Sequence, residues 1–181
     1  LAWYGFFLAK KIDLTVTDIG RHIQNGNIIL SDAFSGAGHA VLATNFYSYT
    51  NPDYLFLNHH WASGVLFTLV HWVWGFYGIS LVFIFASLLA FAIFFRIAER
   101  VAGFGLSFGL ALFLIPLIAE RVEPRPEAFS YLFIAIFFFI LFRFQEKNTR
   151  QRSLFLLPLL EIVWVNFHVY FKIFLAFKLK L

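Results

Sequence analysis

Long apolar runs alternate with short polar segments along most of the chain. Four of these runs approach the ~20 apolar residues that an α-helix needs to cross a bilayer. The polar segments between them are short, which is typical of loops that connect neighbouring antiparallel helices. The pattern therefore predicts an all-α, polytopic transmembrane helix bundle, with spans at 78–98, 101–119, 128–144 and 153–171.

Two further apolar runs are too short to span. The run at 62–74 stops before Gly75 and is typical of an interfacial or re-entrant helix. The run at 1–9 opens the chain, and we interpret it as the remnant of a first span, because it has neither the charged flank nor the cleavage site of a signal peptide. The chain is thus expected to be a fragment, 1–181 forming a partial transmembrane domain.

A polar region at 10–61 lies between these two short runs, and we predict that it is the first extracytoplasmic loop. Within it, LTVTDIGRHIQNG has the spacing of an amphipathic helix, with Thr17 as the N-cap and Gly26 as the stop. The following segment, from Ser35 to Phe56, is rich in Gly, Ser, Thr and Asn and is predicted to be a loop.

The predicted helix carries an acid, a guanidinium and an imidazole. Asp18, Arg21 and His22 stand at i, i+3 and i+4, so a helix would present all three on one face. One interpretation is a general base beside two phosphate-binding cations. The other is an ordinary surface helix whose acid pairs with its own arginine.

Composition supports a membrane location. The chain is 61% hydrophobic and 13% charged, with a mean hydropathy of +0.78, whereas soluble domains carry about 25% charged residues. The net charge of +4 is spread between apolar runs, which favours membrane lipids as partners and excludes a nucleic-acid surface. Without cysteine there is neither a disulfide framework nor thiolate chemistry.

The basic residues also predict an orientation. The loop QEKNTRQR at 145–152 concentrates three cations in one short segment, so it is expected to be cytoplasmic, together with Arg96 and Arg100. The opposite ends of the spans then lie outside the cytoplasm. That side would hold Asp18, the segment NHHW at 58–61 and the turn ERVEPRPE at 120–127.

Adjacent histidines precede the run at 62–74. His59 and His60 would point about 100° apart on a helix, which differs from the i, i+4 pair of helical metal sites. They are candidates for substrate binding. The alternative is an amphipathic residue pair at the membrane surface.

The turn ERVEPRPE packs five charges between two predicted spans, and its two prolines stiffen it. Its candidate binding residues are Glu120, Arg121, Glu123 and Arg125. Two carboxylates three residues apart could also hold a divalent cation, the one candidate cofactor in the chain. The alternative is a solvated hairpin whose charges cancel.

The last predicted span contains an acid and a histidine. Glu161 and His168 share a helical face with Trp164, and ionisable groups within spans usually face a cavity or a partner. Both are candidate binding residues, the alternative being a structural contact between helices.

Five short motifs carry a likeness to a known family: TDIGRHIQNG, TNFYSYTNPDY, NHHWASGVLF, IAERVEPRPEAFSYLF and WVNFH. From Lys10 to Tyr170 the chain resembles the N-terminal half of bacterial GT-C glycosyltransferases, in particular uncharacterised polytopic relatives of protein and lipid A sugar transferases. Where some branches have a second Asp-any-Asp motif, this chain has Glu120 and Glu123.

The resemblance implies a GT-C-like fold in a bacterial inner membrane, with the active face outside the cytoplasm. It implies transfer of a hexose or pentose from a polyprenyl-phosphate-linked donor, with Asp18 as the catalytic acid residue of the first external loop. The family is larger than this chain, so the fragment alone is not expected to be active. The alternative function is a lipid or polysaccharide transporter, or a non-catalytic assembly subunit.

Overall fold

A computed structural model describes residues 1–13, 17–32, 36–120, 123–146 and 151–168. Every regular element in these ranges is helical, which confirms the all-α prediction, and their one β contact is an isolated antiparallel bridge between Thr44 and Leu55. A short 3₁₀ helix, Gln151–Phe155, precedes the last α-helix. The α-helices are α1 Ala2–Leu8, α2 Ile19–Ser31, α3 Gly36–Ala43, α4 Trp61–Ala102, α5 Phe104–Ile118, α6 Glu127–Gln145 and α7 Leu156–Phe167.

Helix α4 is interrupted at the glycine where the sequence pattern divides it. Gly75 has φ 60° and ψ −152°, a conformation that side-chain-bearing residues rarely adopt. Uninterrupted, the 42 residues of α4 would extend about 63 Å, about twice the hydrocarbon thickness of a bilayer. The break therefore separates a first half, 61–74, from a second half, 76–102.

The second half of α4 forms a bundle with α5, α6 and α7. It runs parallel to α6, because the Phe94 and Phe138 rings lie 6.1 Å apart and Arg100 pairs with Glu146 at 2.9 Å. Helices α5 and α7 return in the opposite direction. One end of the bundle thus holds the beginnings of α6 and of the second half of α4 and the ends of α1, α5 and α7; we call it the site end.

Helix α2 packs on the first half of α4 through two glycines. Gly26 and Gly64 are both buried, and a Cβ built on Gly26 would overlap the Gly64 carbonyl and the Thr68 hydroxyl. That hydroxyl donates a hydrogen bond of 2.7 Å to the carbonyl of Ile23. The close approach of the two backbones holds α2 across the site end.

The structure corrects the predicted ends of α2. Asp18, not Thr17, occupies the N-cap position, and Thr17 instead donates to the Asp13 carbonyl at 2.9 Å. Gly26 does not stop the helix, which continues to Ser31. Gly26 serves close packing rather than termination, which local sequence does not distinguish.

The segment predicted as a loop from Ser35 to Phe56 contains helix α3. The chain after it returns along its end, where the Asn58 side-chain amide donates to the Val41 carbonyl at 3.3 Å and the Phe56 N–H donates to the Ala43 carbonyl at 3.0 Å. These tertiary hydrogen bonds satisfy carbonyl groups in the last turn of α3. They help to stabilise a helix that the sequence pattern of this segment only weakly indicates.

Two helices, α4 and α6, are long and apolar enough to cross a membrane by length and composition. The runs predicted to span at 101–119 and 153–171 contain shorter apolar helices, Phe104–Ile118 and Ser153–Phe167. Among the described residues, the outer surfaces of α4, α5 and α6 expose many large apolar side chains. The four-span topology remains a prediction.

Candidate functional site

The outer edge of the site is an ion pair at the beginning of α2. Arg21 Nη2 lies 3.1 Å from Asp18 Oδ2, and both side chains are largely exposed to solvent. The pair follows from the i, i+3 spacing on one helical turn. It leaves the Asp18 carboxylate accessible and next to a guanidinium, an arrangement that can accept a proton and bind an anion.

His22 is directed away from this pair, into the protein. Its side chain is only 5% exposed and packs edge-to-face against His60, with ring centroids 5.6 Å apart, and against Phe67. Asp18, Arg21 and His22 therefore do not share one exposed face as predicted. Instead, α2 presents an ion pair outside and an imidazole inside.

Three imidazoles from distant parts of the chain meet behind the ion pair. His60, the N-cap residue of α4, packs between His22 of α2 and His168, which ends α7. The His60 and His168 rings are stacked, with their centroids 4.9 Å apart. On the outer side, the ring centroid of His59 lies 4.1 Å from that of His60. We call His22, His60 and His168 the imidazole cluster.

A hydrogen-bonded chain fixes one end of the imidazole cluster. The Trp164 indole N–H donates to the Ser130 hydroxyl at 2.8 Å, and Ser130 Oγ lies 3.0 Å from Nδ1 of His168. All three side chains are buried. The geometry orients the His168 ring through α6, because Ser130 belongs to the first turns of that helix.

A second contact joins the same elements. The Trp61 indole N–H donates to the Asn166 side-chain carbonyl at 2.6 Å, across 105 residues of sequence. Together with the Ser130 contact it holds the end of α7 against the beginnings of α4 and α6. With His22 on α2, the position of the imidazole cluster thus depends on four helices rather than on any one segment.

Burial keeps His22 and His60 neutral. Desolvation lowers the pKa of His22 to about 4, and the neighbouring Arg21 contributes in the same direction. Desolvation, followed by repulsion from His59, His168 and His22, lowers the pKa of His60 to about 3. At pH 7 His22 is therefore a neutral imidazole, not the cation predicted from its spacing.

One polar atom of the imidazole cluster is unused. Nδ1 of His60 is buried and forms no hydrogen bond with any residue that the structure describes. The His60 ring also hydrogen-bonds the backbone of Phe167, and because Nδ1 has no partner, the donor in that bond is the other ring nitrogen. Nδ1 of the neutral ring is then an acceptor, and it can accept a hydrogen bond from a hydroxyl group of a bound substrate.

Residues of the turn ERVEPRPE border a separate groove at the site end. This groove of about 280 Å³ is lined by the chain after α1 and by the chain after α5. Arg125 Nη2 pairs with Glu123 at 3.3 Å. We call this groove the charged groove. Its lining residues are Lys10, Lys11, Ile12, Asp13, Glu120, Glu123 and Pro124.

Among the described ranges, no three His, Cys, Asp or Glu side chains are arranged to hold a metal ion. The imidazole cluster has stacked and edge-to-face rings, whose nitrogens do not converge on one point. Asp13, Glu120 and Glu123 all line the charged groove, but these three carboxylates are not arranged to hold a metal ion either. The divalent cation remains a prediction.

The structure brings most of the predicted site residues to the site end but not all into one site. His60 contacts both His22 and His168, and His59 and the Asp18–Arg21 pair border this cluster. Glu120 and Glu123 line the charged groove, and Arg125 pairs with Glu123. Glu161 is half-buried on α7 and forms no hydrogen bond or ion pair with a described residue. Arg121 lies outside the described residues.

Ser130 and Glu127 were not among the candidate residues predicted from sequence, and Trp61 and Asn166 had no predicted role. Ser130 is one of many small residues in apolar runs, so only its contact with Trp164 reveals it. Trp61 directly follows His60, and Asn166 lies two residues before His168. An indole or an amide so close to a candidate histidine was the available indication that these two residues belong to the site. Glu127, at the beginning of α6, acts electrostatically on His168.

No protein-family model, no curated protein and no solved structure matches this chain. The likeness to the GT-C superfamily therefore rests on short sequence motifs alone.

Proposed function

We propose that this chain belongs to a membrane glycosyltransferase that transfers a sugar from a polyprenyl-phosphate-linked donor to an acceptor outside the cytoplasm. The observation that carries the proposal is the meeting of α2, α4 and α7 at one end of an apolar bundle. There an exposed carboxylate–guanidinium pair borders a buried imidazole cluster. A lipid-linked substrate requires apolar walls for its tail next to polar groups for its phosphate.

In the proposed reaction, Asp18 accepts the proton of the acceptor hydroxyl. The acceptor oxygen forms a bond with the anomeric carbon as the bond from that carbon to the phosphate oxygen breaks, with inversion. The electron pair of the broken bond leaves on the polyprenyl phosphate. Arg21 carries the positive charge that stabilises this phosphate, because a guanidinium can bind it through two parallel hydrogen bonds.

The imidazole cluster would contribute hydrogen bonds rather than charge. The unused Nδ1 of neutral His60 can accept a hydrogen bond from a sugar hydroxyl. Neutral His22 and His60 add no positive charge that would repel Arg21. His168, oriented by Ser130, holds His60 in position and would act as a positioning residue.

The decisive test is Asp18→Asn, which retains the size of the side chain but removes the base. We expect sugar transfer from a polyprenyl-phosphate donor to fall about 100- to 10,000-fold, the usual contribution of a general base. Membrane insertion should persist, since an exposed ion pair contributes well under about 1 kcal/mol.

Asp53→Asn is the matched control. Asp53 is an exposed carboxylate in the same polar region and lies outside the site, so its amide should leave transfer unchanged. Near-normal transfer by Asp18→Asn would contradict the proposal and favour the transporter or the non-catalytic assembly subunit.

A further inference from the structure

We propose that a hairpin of the chain between α3 and α4, residues 44–57, inserts its exposed aromatic and leucine side chains into the surface of the lipid bilayer. We call this segment the surface hairpin. Its two arms meet at the antiparallel bridge between Thr44 and Leu55. The inference rests on the membrane location of the chain but not on its catalytic activity.

The surface hairpin exposes an unusual amount of apolar surface. Leu55 is 82% exposed and Leu57 is 76% exposed, more than any other leucine that the structure describes. Contiguous exposed apolar surface marks a contact with a membrane or a partner. Three of the residues are tyrosines, whose rings favour the boundary between lipid and water. The exposed large side chains of the hairpin are Phe46, Tyr47, Tyr49, Tyr54, Leu55, Phe56 and Leu57.

The second arm of the surface hairpin is exposed on both of its sides. The bridge at Leu55 and the hydrogen bond from the Phe56 N–H to the Ala43 carbonyl give it the geometry of an antiparallel strand. Successive side chains of a strand point to opposite sides, so Leu55 and Leu57 share one side, and both are exposed. Tyr54 and Phe56 share the other side and are exposed as well. A protein partner that docks on a strand covers one side of it, whereas lipid surrounds a segment that enters the bilayer surface.

The backbone of the surface hairpin is suited to an environment with little water. The Asn45 N–H donates to the Tyr54 carbonyl at 2.8 Å, and the Ser48 N–H donates to the Asn45 carbonyl at 2.8 Å. The Asn51 N–H donates to the Ser48 hydroxyl at 3.0 Å. Backbone groups that enter lipid need partners within the protein. These N–H groups already have them, so the hairpin can enter the bilayer surface without leaving them unpaired.

The first half of α4 holds the surface hairpin at the level where the apolar bundle ends. Its Trp61 indole bonds Asn166 near the end of α7. Farther along, the Phe67 ring lies 5.7 Å from Phe129 in the first turn of α6, and Phe129 lies 5.1 Å from Phe167. Both contacts are thus at the same level, so this stretch of α4 crosses the bundle end instead of extending beyond it. The hairpin, which ends just before this stretch, is held at the predicted boundary between lipid and water.

Charge makes a further distinction. Asp53 is the one formal charge between residues 44 and 57. Attraction to anionic lipids requires clustered lysines or arginines, and the surface hairpin contains neither. Burial of apolar surface is therefore the driving force, and insertion should depend neither on anionic lipids nor on salt.

The test measures the environment of nitroxide labels on the chain in phosphatidylcholine vesicles. Because the chain contains no cysteine, Leu55→Cys and Leu57→Cys can each be labelled at one position. Electron paramagnetic resonance then compares collisions with oxygen, which concentrates in lipid, and with a nickel chelate, which stays in water. We expect severalfold fewer nickel collisions at both positions than at Gly20→Cys, whose position is exposed on α2 beside the ion pair. Phosphatidylglycerol or high salt should not change this ratio.

The other outcomes contradict the proposal. Nickel collisions as frequent at Leu55 and Leu57 as at Gly20 would show that the surface hairpin lies in water. Few collisions with either reagent would show that a protein partner or a second copy covers it. A requirement for phosphatidylglycerol would replace apolar insertion by electrostatic binding. A label at Phe113, exposed on α5, is the reference for lipid, and frequent nickel collisions there would remove the membrane location itself.

A paired substitution tests the role of the leucines. In a chain labelled at Tyr49→Cys, Leu55→Asn with Leu57→Asn should raise nickel collisions at the label severalfold. Leu55→Val with Leu57→Val keeps the apolar character, is the matched control and should leave the label unchanged. An unchanged label in the asparagine variant would refute the assignment to these side chains. No measurement uses a sugar donor, so a hairpin in water would leave the transfer proposal untouched, and near-normal transfer by Asp18→Asn would leave this proposal untouched.

Discussion

The two ends of the helix bundle differ in whether they bury polar side chains. At the end away from the site, Arg96 pairs with Glu99 at 3.4 Å and Arg100 pairs with Glu146 at 2.9 Å, with partly or largely exposed side chains. At the site end, buried imidazoles, hydroxyls and indoles are joined by hydrogen bonds and ring contacts. Both ends carry exposed ion pairs, but within the described ranges the site end also holds these neutral polar groups inside the protein.

This difference predicts where substitutions matter. An exposed ion pair contributes little to the free energy of unfolding, because water stabilises the two separated charges almost as well as they stabilise each other. A buried polar group has no such alternative, and losing its partner leaves it desolvated without a hydrogen bond. The site end should therefore be sensitive to single changes that the opposite end tolerates.

The largest expected effect comes from filling the contact between α2 and α4. Gly26→Val should destabilise the fold by about 3 kcal/mol or more, because its side chain would overlap the Gly64 carbonyl and Thr68. The measurement is the unfolding midpoint in mixed micelles of increasing SDS content, followed by circular dichroism.

Gly20→Ala is the control for this change on the same helix. Gly20 is exposed and a Cβ there would meet nothing within 4 Å. We expect a neutral result or a gain of up to about 1 kcal/mol from improved helix propensity. Equal losses from both variants would show that the close backbone approach is not what places α2.

The second prediction concerns acid sensitivity. The folded pKa of His22, about 4, lies below its ordinary value of 6.5, so the unfolded chain binds the proton first as the pH falls. The stability contributed by neutral His22 is complete above pH 6.5 and declines between about pH 6.5 and 4. His22→Gln should flatten this part of the stability profile.

His39→Gln is the matched control, because His39 is exposed on α3. The comparison uses the slope of stability against pH rather than absolute stability, so a general destabilisation does not confuse it. An unchanged slope in His22→Gln would show that His22 is not buried as a neutral imidazole.

Third, Ser130→Ala should cost about 1–3 kcal/mol, because it removes the acceptor of the buried Trp164 N–H and the contact to His168. Ser31→Ala, whose hydroxyl bonds an exposed carbonyl of its own helix, should be nearly neutral. Thermal unfolding in detergent measures both. Similar small effects would mean that the chain of Trp164, Ser130 and His168 does not stabilise the end of α7.

The smallest effect is expected at the opposite end. Arg100→Gln removes the ion pair with Glu146 and should cost less than about 1 kcal/mol. Chemical unfolding of this variant beside Ser130→Ala makes the comparison direct. A loss at Arg100 as large as that at Ser130 would erase the distinction between the two ends.

The sequence by itself was sufficient for the all-helical class, the break at Gly75 and the choice of His60 and His168 as polar residues of interest. These features depend on local properties: apolar run length, the conformational freedom of glycine, and polar residues beside apolar runs. The i, i+3 spacing was also enough to predict the Asp18–Arg21 pair. Each of these inferences needs only a few consecutive residues.

Only the tertiary structure decided which residues meet and in what state. The burial of Gly26 on Gly64 turned a predicted helix stop into a packing contact. Desolvation turned His22 from a predicted cation into a neutral imidazole. Ser130 acquired a role only when Trp164 and His168 reached it from more than 30 residues away. Burial and long-range pairing set these outcomes because desolvation energies depend on what surrounds a side chain in space, and local sequence does not encode those surroundings.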